Sequence, residues 1–404
     1  MITFIIFILI LGLLVFVHEF GHFTAARKMG VKVYEFGFGM PPRLFGIRRV
    51  IRRQEIKEDN TIIDEKIKTK RWQFVWGNKS AEELVEEAQS KGLETDVIYS
   101  INLLPLGGFV KIKGENGELV DEQDSFGFQK AWKRILILFA GVFMNFILAA
   151  IHLGIGFIIG LPSDISTMDD KKAIVIGEPS VLIQQVEKNS PAEKGGLKFG
   201  DQILSVDGNK ISASTELIEY IKTKNEVDIK IVVKRNDEEK EIVLKPSKFD
   251  GLVDYSRIGV ALADAAMIRY PWYIALYKGF VAASIGVINI LFAFYYLIKN
   301  LILGQGLAFD VSGPVGIAVF VGQSARMGIN YLLNTTAMIS LSLAVINALP
   351  IPALDGGRIF FIVIEKIIRR KLSMKYEQLA HTLGFLALMA LIVVVTWRDI
   401  ANLF

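Results

Sequence analysis

Ile2-Thr-Phe-Ile-Ile-Phe-Ile-Leu-Ile-Leu-Gly-Leu-Leu-Val-Phe-Val17, followed without a break by His18-Glu-Phe-Gly-His22, is the stretch on which the reading of this chain turns. The run from Ile2 to Val17 is uncharged and continues into HEFGHFTAAR. Together they predict a helix of about 25 residues, the length that crosses a bilayer. A cleavable secretory leader is the competing reading, but the segment has no basic n-region and no clear small-residue cleavage site. An ionisable residue at bilayer depth costs about 2.5–3.5 kcal/mol on insertion scales, so a cluster of His18, Glu19 and His22 needs a compensating ligand. A metal ion supplies one.

The spacing names the metal chemistry. Residues i and i+4 share a helix face, so both imidazoles reach one Zn²⁺ at about 2.0–2.1 Å, while Glu19, one step round, faces the water that completes the site. The chain has no cysteine, which excludes disulfides, thiolate zinc sites and a cysteine nucleophile, so a third ligand must be His or a carboxylate. The only other histidines, His152 and His381, read as polar packing or interfacial residues. Asp355 is better placed. It ends a later apolar segment in Asn347-Ala-Leu-Pro-Ile-Pro-Ala-Leu-Asp355-Gly-Gly357, where Pro350 and Pro352 stop a regular helix and the glycines permit a tight turn. Broken backbone at membrane depth is tolerated where it is buried in protein or lines a water-filled cavity. His18, His22 and Asp355 therefore leave the fourth position open to water, with Glu19 as its base. Asn145 and Asn347 are amides inside apolar segments; they either hold the substrate backbone or oxyanion, or serve as interhelical hydrogen-bond partners.

At 404 residues, 52% hydrophobic with mean hydropathy +0.40, the chain is too apolar for an ordinary soluble protein, and its 22% charged residues are concentrated outside the apolar runs. A net charge of +4 argues against nucleic acid as a partner. The apolar runs 135–161 and 327–354 carry no formal charge, and 379–397 carries only His381, so each can span. The run 279–298 is equally apolar. Were it a span, Asp355 would face the side of the membrane opposite His18 and His22; read as interfacial, it lets the three share a depth. The expected fold is a polytopic α-helical membrane protein with four spans and one interfacial helix: 1–30, 132–161, 327–357 and 377–397, with an amphipathic region at 258–326. Arg27, Lys28, Lys32, Arg43, Arg48, Arg49, Arg52 and Arg53 follow the first span, and Lys366, Arg369, Arg370, Lys371 and Lys375 precede the last, so both loops should be cytoplasmic, and the N-terminus, the segment from about Pro162 to about Lys278 and the C-terminus extracytoplasmic.

The cytoplasmic loop 31–131 holds two Gly-rich pieces, Tyr34 to Gly39 and Leu104 to Ile112, which read as short strands and turns, separated by a charged insertion at 51–95 that reads as solvated and includes a helix at Ala81 to Ser90. Residues 173–247 alternate apolar and polar around one helical pattern, Ser214 to Lys222, and predict a small β-rich domain with a helix.

HEFGH in a first span, LDG after a proline-broken later span, and an intervening extramembrane β domain together resemble the site-2 protease family of intramembrane zinc metalloproteases, in particular the bacterial regulator of sigma-E protease branch. Tyr34 to Gly39 and Leu104 to Ile112 look like the family's membrane-associated β segments, Ser312 to Ala318 matches a family motif, and Ser190 to Gly208 looks like a PDZ signature. The resemblance implies zinc on His18, His22 and Asp355, catalysis by Glu19, and substrate handling at Asn347 and Asn145. It also implies a multi-pass protein of the bacterial cytoplasmic membrane, a PDZ-like α+β domain outside that takes a peptide or chain terminus, and single-span membrane proteins such as anti-sigma factors or signal-peptide remnants as substrates. The chain departs from the family in three places: Gly141-Val142 replaces a Gly-Pro pair, one PDZ pattern stands where relatives often carry two, and the 51–95 insertion has no counterpart. Two other functions compete. A PDZ-bearing scaffold with a structural metal should close its site with four ligands, and a metal transporter should show inverted repeats; the sequence has neither feature.

Overall fold

The computed structural model describes residues 2–401 apart from 55–66, 78, 118, 120, 166–169, 171, 188, 236–237, 249–254, 305–311 and 371, so the middle of the charged insertion lies outside the described residues. In chain order the elements are α1 (Ile2–Lys28), β1 (Val33–Gln54), β2 (Ile67–Trp76), α2 (Ala81–Ser90), β3 (Leu93–Ile112), α3 (Ala131–Ile159), β4 (Leu161–Asp164), β5 (Ile174–Val186), α4 (Pro191–Gly195), β6 (Gln202–Val206), β7 (Asn209–Lys210), α5 (Ser214–Thr223), β8 (Ile229–Arg235), β9 (Glu238–Leu244), β10 (Val260–Arg269), α6 (Trp272–Ile302), α7 (Pro314–Met327), α8 (Ile329–Ala348), α9 (Asp355–Ile368) and α10 (Met374–Ala401). They form two units, one of Met1–His152 with Phe280–Phe404 and one of Leu153–Gly279.

In the first unit α1 ends where the sequence stops favouring it. Arg27 and Lys28 occupy its last turn, complementing the helix dipole, and Gly30 at φ +82° lets the Val31 N–H reach back to the Ala26 carbonyl at 2.9 Å. The Gly-rich pieces expected as short strands belong to long ones. β1 folds back on itself, so that Ile98–Ile101 of β3 pairs with Glu35–Phe38 on one side and with Phe45–Arg48 on the other, while Gly108–Lys111 takes the far side of Glu35–Phe38. The fold-back is held by the buried Glu35, which accepts from Arg43 Nε at 2.9 Å, and by Asn102, whose amide donates to the carbonyls of Phe38 and Gly39 at 3.3 Å each. Gly107 at φ +95° stands so close to α1 that a Cβ would lie 2.7 Å from Val15 Cγ1. This contact sets the last segment of β3 against α1.

The insertion is not simply solvated. β2 pairs with β1, and α2, capped by Ser80 Oγ accepting from Glu83 N at 3.2 Å, buries Ala81, Leu84, Val85 and Ala88 in a cluster with Tyr34, Val75 and Ile98. The charge count concealed an apolar face at i, i+3, i+4 and i+7 of α2.

Five helices among the described residues are long and apolar enough to cross a membrane: Thr3–Lys28, Ala131–Ile159, Trp272–Ile302, Ile329–Ala348 and Lys375–Ala401. Residues such as Phe4, Leu9, Leu383, Val393 and Val394 leave large apolar surfaces exposed along them, a pattern suited to lipid rather than water. The segment expected as interfacial, 279–298, lies within α6, an unbroken helix of 31 residues with mean hydropathy 2.1, so it meets the same length and composition test as the four expected spans. α7 lies beside the start of α1 and the end of α10: a Cβ on Gly322 would meet Thr3, and the Gly316 N–H donates to Asp399 Oδ2 at 2.7 Å. From there α8 runs toward Asp355, and the Ser340 hydroxyl donates to the Asn145 carbonyl at 2.7 Å.

The second unit is a sheet of order β4-β10-β5-β6-β8-β9, with β7 on β6, around a core that includes Val181, Ile183, Ile203, Leu217, Ile229 and Ile231. Its sheet extends past the expected 173–247 by taking in β4 and β10. Asp201, fully buried, is satisfied by Arg235 Nε and Nη2 at 2.6 Å each and by the Lys198 N–H at 2.9 Å.

Candidate metal centre

His18 and His22 stand one turn apart on α1 and are buried, while Asp355 opens α9 directly after the proline break. The fold brings the three together. His18 Nε2 is 3.0 Å from Asp355 Oδ2, His22 Nε2 is 3.3 Å from the same oxygen, and the two Nε2 atoms are 3.1 Å apart. Donors at about 2.0–2.1 Å from a tetrahedral zinc stand about 3.3 Å from one another, so the observed triangle is the size such an ion requires. The ring bonds agree with that use. His22 Nδ1 lies 2.9 Å from the Ile137 carbonyl, to which it donates, leaving Nε2 as a free lone pair aimed at its neighbours. Among the described residues this is the one cluster of His, Cys, Asp and Glu groups placed to hold an ion.

Glu19, next to His18 on α1, accepts through Oε2 from the Val110 N–H at 3.1 Å. Val110 belongs to the β3 segment that packs on α1, so the carboxylate and a strand edge meet at the metal site. Asn145 is almost fully buried, and its amide Nδ2 lies 3.4 Å from His18 Nδ1, behind the ligand. Asn347 is half-buried in the last turn of α8, and among the described residues its side chain makes no bond to the three ligands. His152 bonds the Leu148 carbonyl on its own helix at 2.8 Å, as a polar packing residue does.

Three features of the centre had little or no signal in the sequence. Gly141 presses α3 onto the ligands, a Cβ there lying 2.7 Å from His22 Cε1 and 2.9 Å from His18 Cε1. The Ile137 carbonyl, one turn earlier, orients His22. His381 Nδ1 accepts from the Ala353 N–H at 2.8 Å, inside the loop that delivers Asp355. The small pair Ala140-Gly141 in an otherwise bulky span was the available clue to close helix approach.

Two imidazoles and one carboxylate with ligand atoms within 3.3 Å of one another, and a glutamate next in sequence to the first, match the donor set of a catalytic zinc site. The chain belongs to peptidase family M50, whose model matches residues 6–55 and 87–391. It is similar over its whole length to the regulator of sigma-W protease RasP of Bacillus subtilis, at 29% identity covering 100% of this chain and 99% of that one. It is likewise similar to the zinc metalloprotease RasP of Shouchella clausii, at 30% identity with the same coverage. A PDZ domain of an SdrC-like protein from Listeria monocytogenes is 29% identical, covering 22% of this chain and 93% of that domain with a TM-score of 0.20. Family and centre agree on a zinc-dependent peptidase, with Zn²⁺ as its cofactor.

Proposed function

We propose that the chain cleaves single-span membrane proteins within or beside the bilayer, with His18, His22 and Asp355 as zinc ligands and Glu19 as the proton-transferring group. The observation that carries this reading is the 3.0–3.3 Å triangle of ligand atoms on apolar helices. Zinc, when bound, supplies a Lewis acid that brings the pKa of water to about 7. Glu19 would serve as the proton acceptor for the attacking water and return that proton to the leaving amine. An unwound substrate would add as a strand along Phe109–Ile112, taking over the Val110 N–H that Glu19 now accepts, which would place the scissile carbonyl beside Glu19. Asn145 meets His18 Nδ1–H through its amide oxygen once the amide is turned about its last torsion; Oδ1, buried without a partner in the present orientation, then accepts. Its role is thus to orient a ligand, and Asn347 remains the amide available to the substrate. The RasP of Bacillus subtilis is named as a regulator of sigma-W; by analogy, substrates here are anti-sigma factors or signal-peptide remnants.

The expected four-span topology, with the second unit extracytoplasmic and the basic loops cytoplasmic, fits the position of α7. α1 and α8 both descend from α7 to the metal centre, so the chain has no net crossing between the end of α3 and the start of α8. A tilted, partly immersed α6 fits that count, and is consistent with Gly286 lying against Leu341 in mid-α8. The β5–β10 unit, with its Ser190-Pro-Ala start and single helix α5, is read as a PDZ-like domain for a peptide or chain terminus.

The test uses the full chain in detergent: bound zinc is counted for wild type and Glu19→Gln, and both are mixed with a tagged single-span substrate. Zinc in both and cleavage only by wild type is expected, with a loss of at least 10²-fold in the variant. Equal cleavage by the variant would remove Glu19 from the reaction, and a wild type without zinc would remove the centre.

A further inference from the structure

The third ligand is delivered by an irregular segment, and that segment is held from outside by a histidine that binds no metal. Between Pro350 and Asp355 the chain cannot be helical, and Ala353 adopts φ +80°, a region that side-chain-bearing residues rarely enter because Cβ crowds the backbone. Such a conformation persists where its surroundings over-determine it. Here the surroundings are the turn's own bond from the Leu354 N–H to the Ile351 carbonyl at 3.2 Å and, outside it, α10. His381 Nδ1 accepts from the Ala353 N–H at 2.8 Å, a Cβ on Gly384 would stand 2.7 Å from Pro352 Cβ, and the His381 ring lies 5.5 Å from that of Phe361 on α9. Since Nδ1 accepts, the proton sits on Nε2, whose nearest acidic neighbour is Glu377 Oε1 at 4.0 Å. His381 is thereby fixed as an acceptor for one backbone N–H, two residues ahead of the metal-binding carboxylate.

We propose that His381 is a positioning residue for Asp355: its bond to Ala353 holds the left-handed turn that sets the depth and direction of the third ligand. Without the acceptor, a part-buried N–H loses its protein partner and Ala353 relaxes toward φ < 0, carrying Asp355 away from His18 and His22. The inference rests on the zinc assignment above, and the experiment separates the two.

Zinc affinity of the full-length chain in detergent is measured by competition with a chromophoric chelator for wild type, Asp355→Ala, His381→Leu, His381→Asn, Ala353→Gly and the double variant His381→Leu/Ala353→Gly. Failure of Asp355→Ala to weaken zinc binding would overturn the ligand assignment itself. Given that loss, His381→Leu is expected to weaken binding about 10–100-fold, as partners behind metal ligands do. His381→Asn, which keeps an acceptor on Cγ where Nδ1 was, should stay within about threefold of wild type. Glycine at 353 adopts the left-handed turn unaided, so it should be neutral alone and should restore roughly tenfold of the loss in the double variant. Wild-type affinity in His381→Leu, equal damage in His381→Asn and His381→Leu, or no recovery in the double variant would each overturn the proposal.

Discussion

Gly141→Ala is the smallest change that should empty the metal centre. The added methyl would lie 2.7 Å from His22 Cε1 and 2.9 Å from His18 Cε1, where ordinary contact begins at 3.4 Å. The atom nearest that methyl is His22 Nε2 itself, so the His22 ring must retreat by roughly 1 Å, or α3 must move off α1, while ligand distances tolerate only about ±0.2 Å. α3 cannot easily move, because the backbone of Ala140 and Gly141 is already packed on Gly21 with no room for a Cβ. Misplacements near 1 Å cost on the order of 10²-fold in a reaction, and zinc affinity should fall on a similar scale. Helix formation is not the weak point, since alanine is about 0.5–1 kcal/mol better than glycine inside a helix. The expected result is a variant with wild-type helicity by circular dichroism, less than stoichiometric zinc after a mild chelator wash, and no cleavage. One tightly held zinc per chain in Gly141→Ala would refute the packing argument.

Two further outcomes follow from the same structure. Asn145→Leu should lower zinc affinity about 10–100-fold, measured by chelator competition, while Asn145→Asp, still an acceptor for His18 Nδ1–H, should retain it. In the second unit, the Lys230 N–H and the Tyr220 hydroxyl hold the Asp207 carboxyl below its usual range. A depressed carboxylate stabilises the fold above its unfolded pKa of about 3.9 and loses that contribution as pH falls through the folded value, so the unit should weaken below about pH 4. Asp207→Asn should flatten that dependence in protease-protection titrations of the intact chain.

The α1 half of the candidate centre was legible because helical geometry is local: His18 and His22 need only α1 to share a face, with Glu19 one step round. Asp355 was legible because prolines and glycines beside an acidic residue are anomalous in an apolar run. The helix at 81–90 and the one beginning at Ser214 were readable for the same local reason, their apolar periodicity. By contrast, the role of Asn145 depends on which face of α3 meets α1, and both readings of a buried amide, substrate contact and interhelical bond, fitted the sequence equally.

Tertiary registration explains the remaining differences. His381 is four residues from Glu377 and inside an apolar helix, so in sequence it resembles any polar residue packed between helices; only the fold sets its Nδ1 opposite a backbone N–H in a left-handed turn. The fold-back of β1 was hidden because one β3 segment serves both of its halves, a pairing that alternation along a strand cannot reveal. In each case the residue is ordinary and the partner is distant in sequence: 28 positions from Ala353 to His381 and 91 from Glu19 to Val110. The chemistry of this centre is therefore written locally on α1, while its geometry depends on α3, α10 and β3. For that reason the sharpest tests of the reading are substitutions such as Gly141→Ala and His381→Leu, which leave every ligand and the glutamate in place.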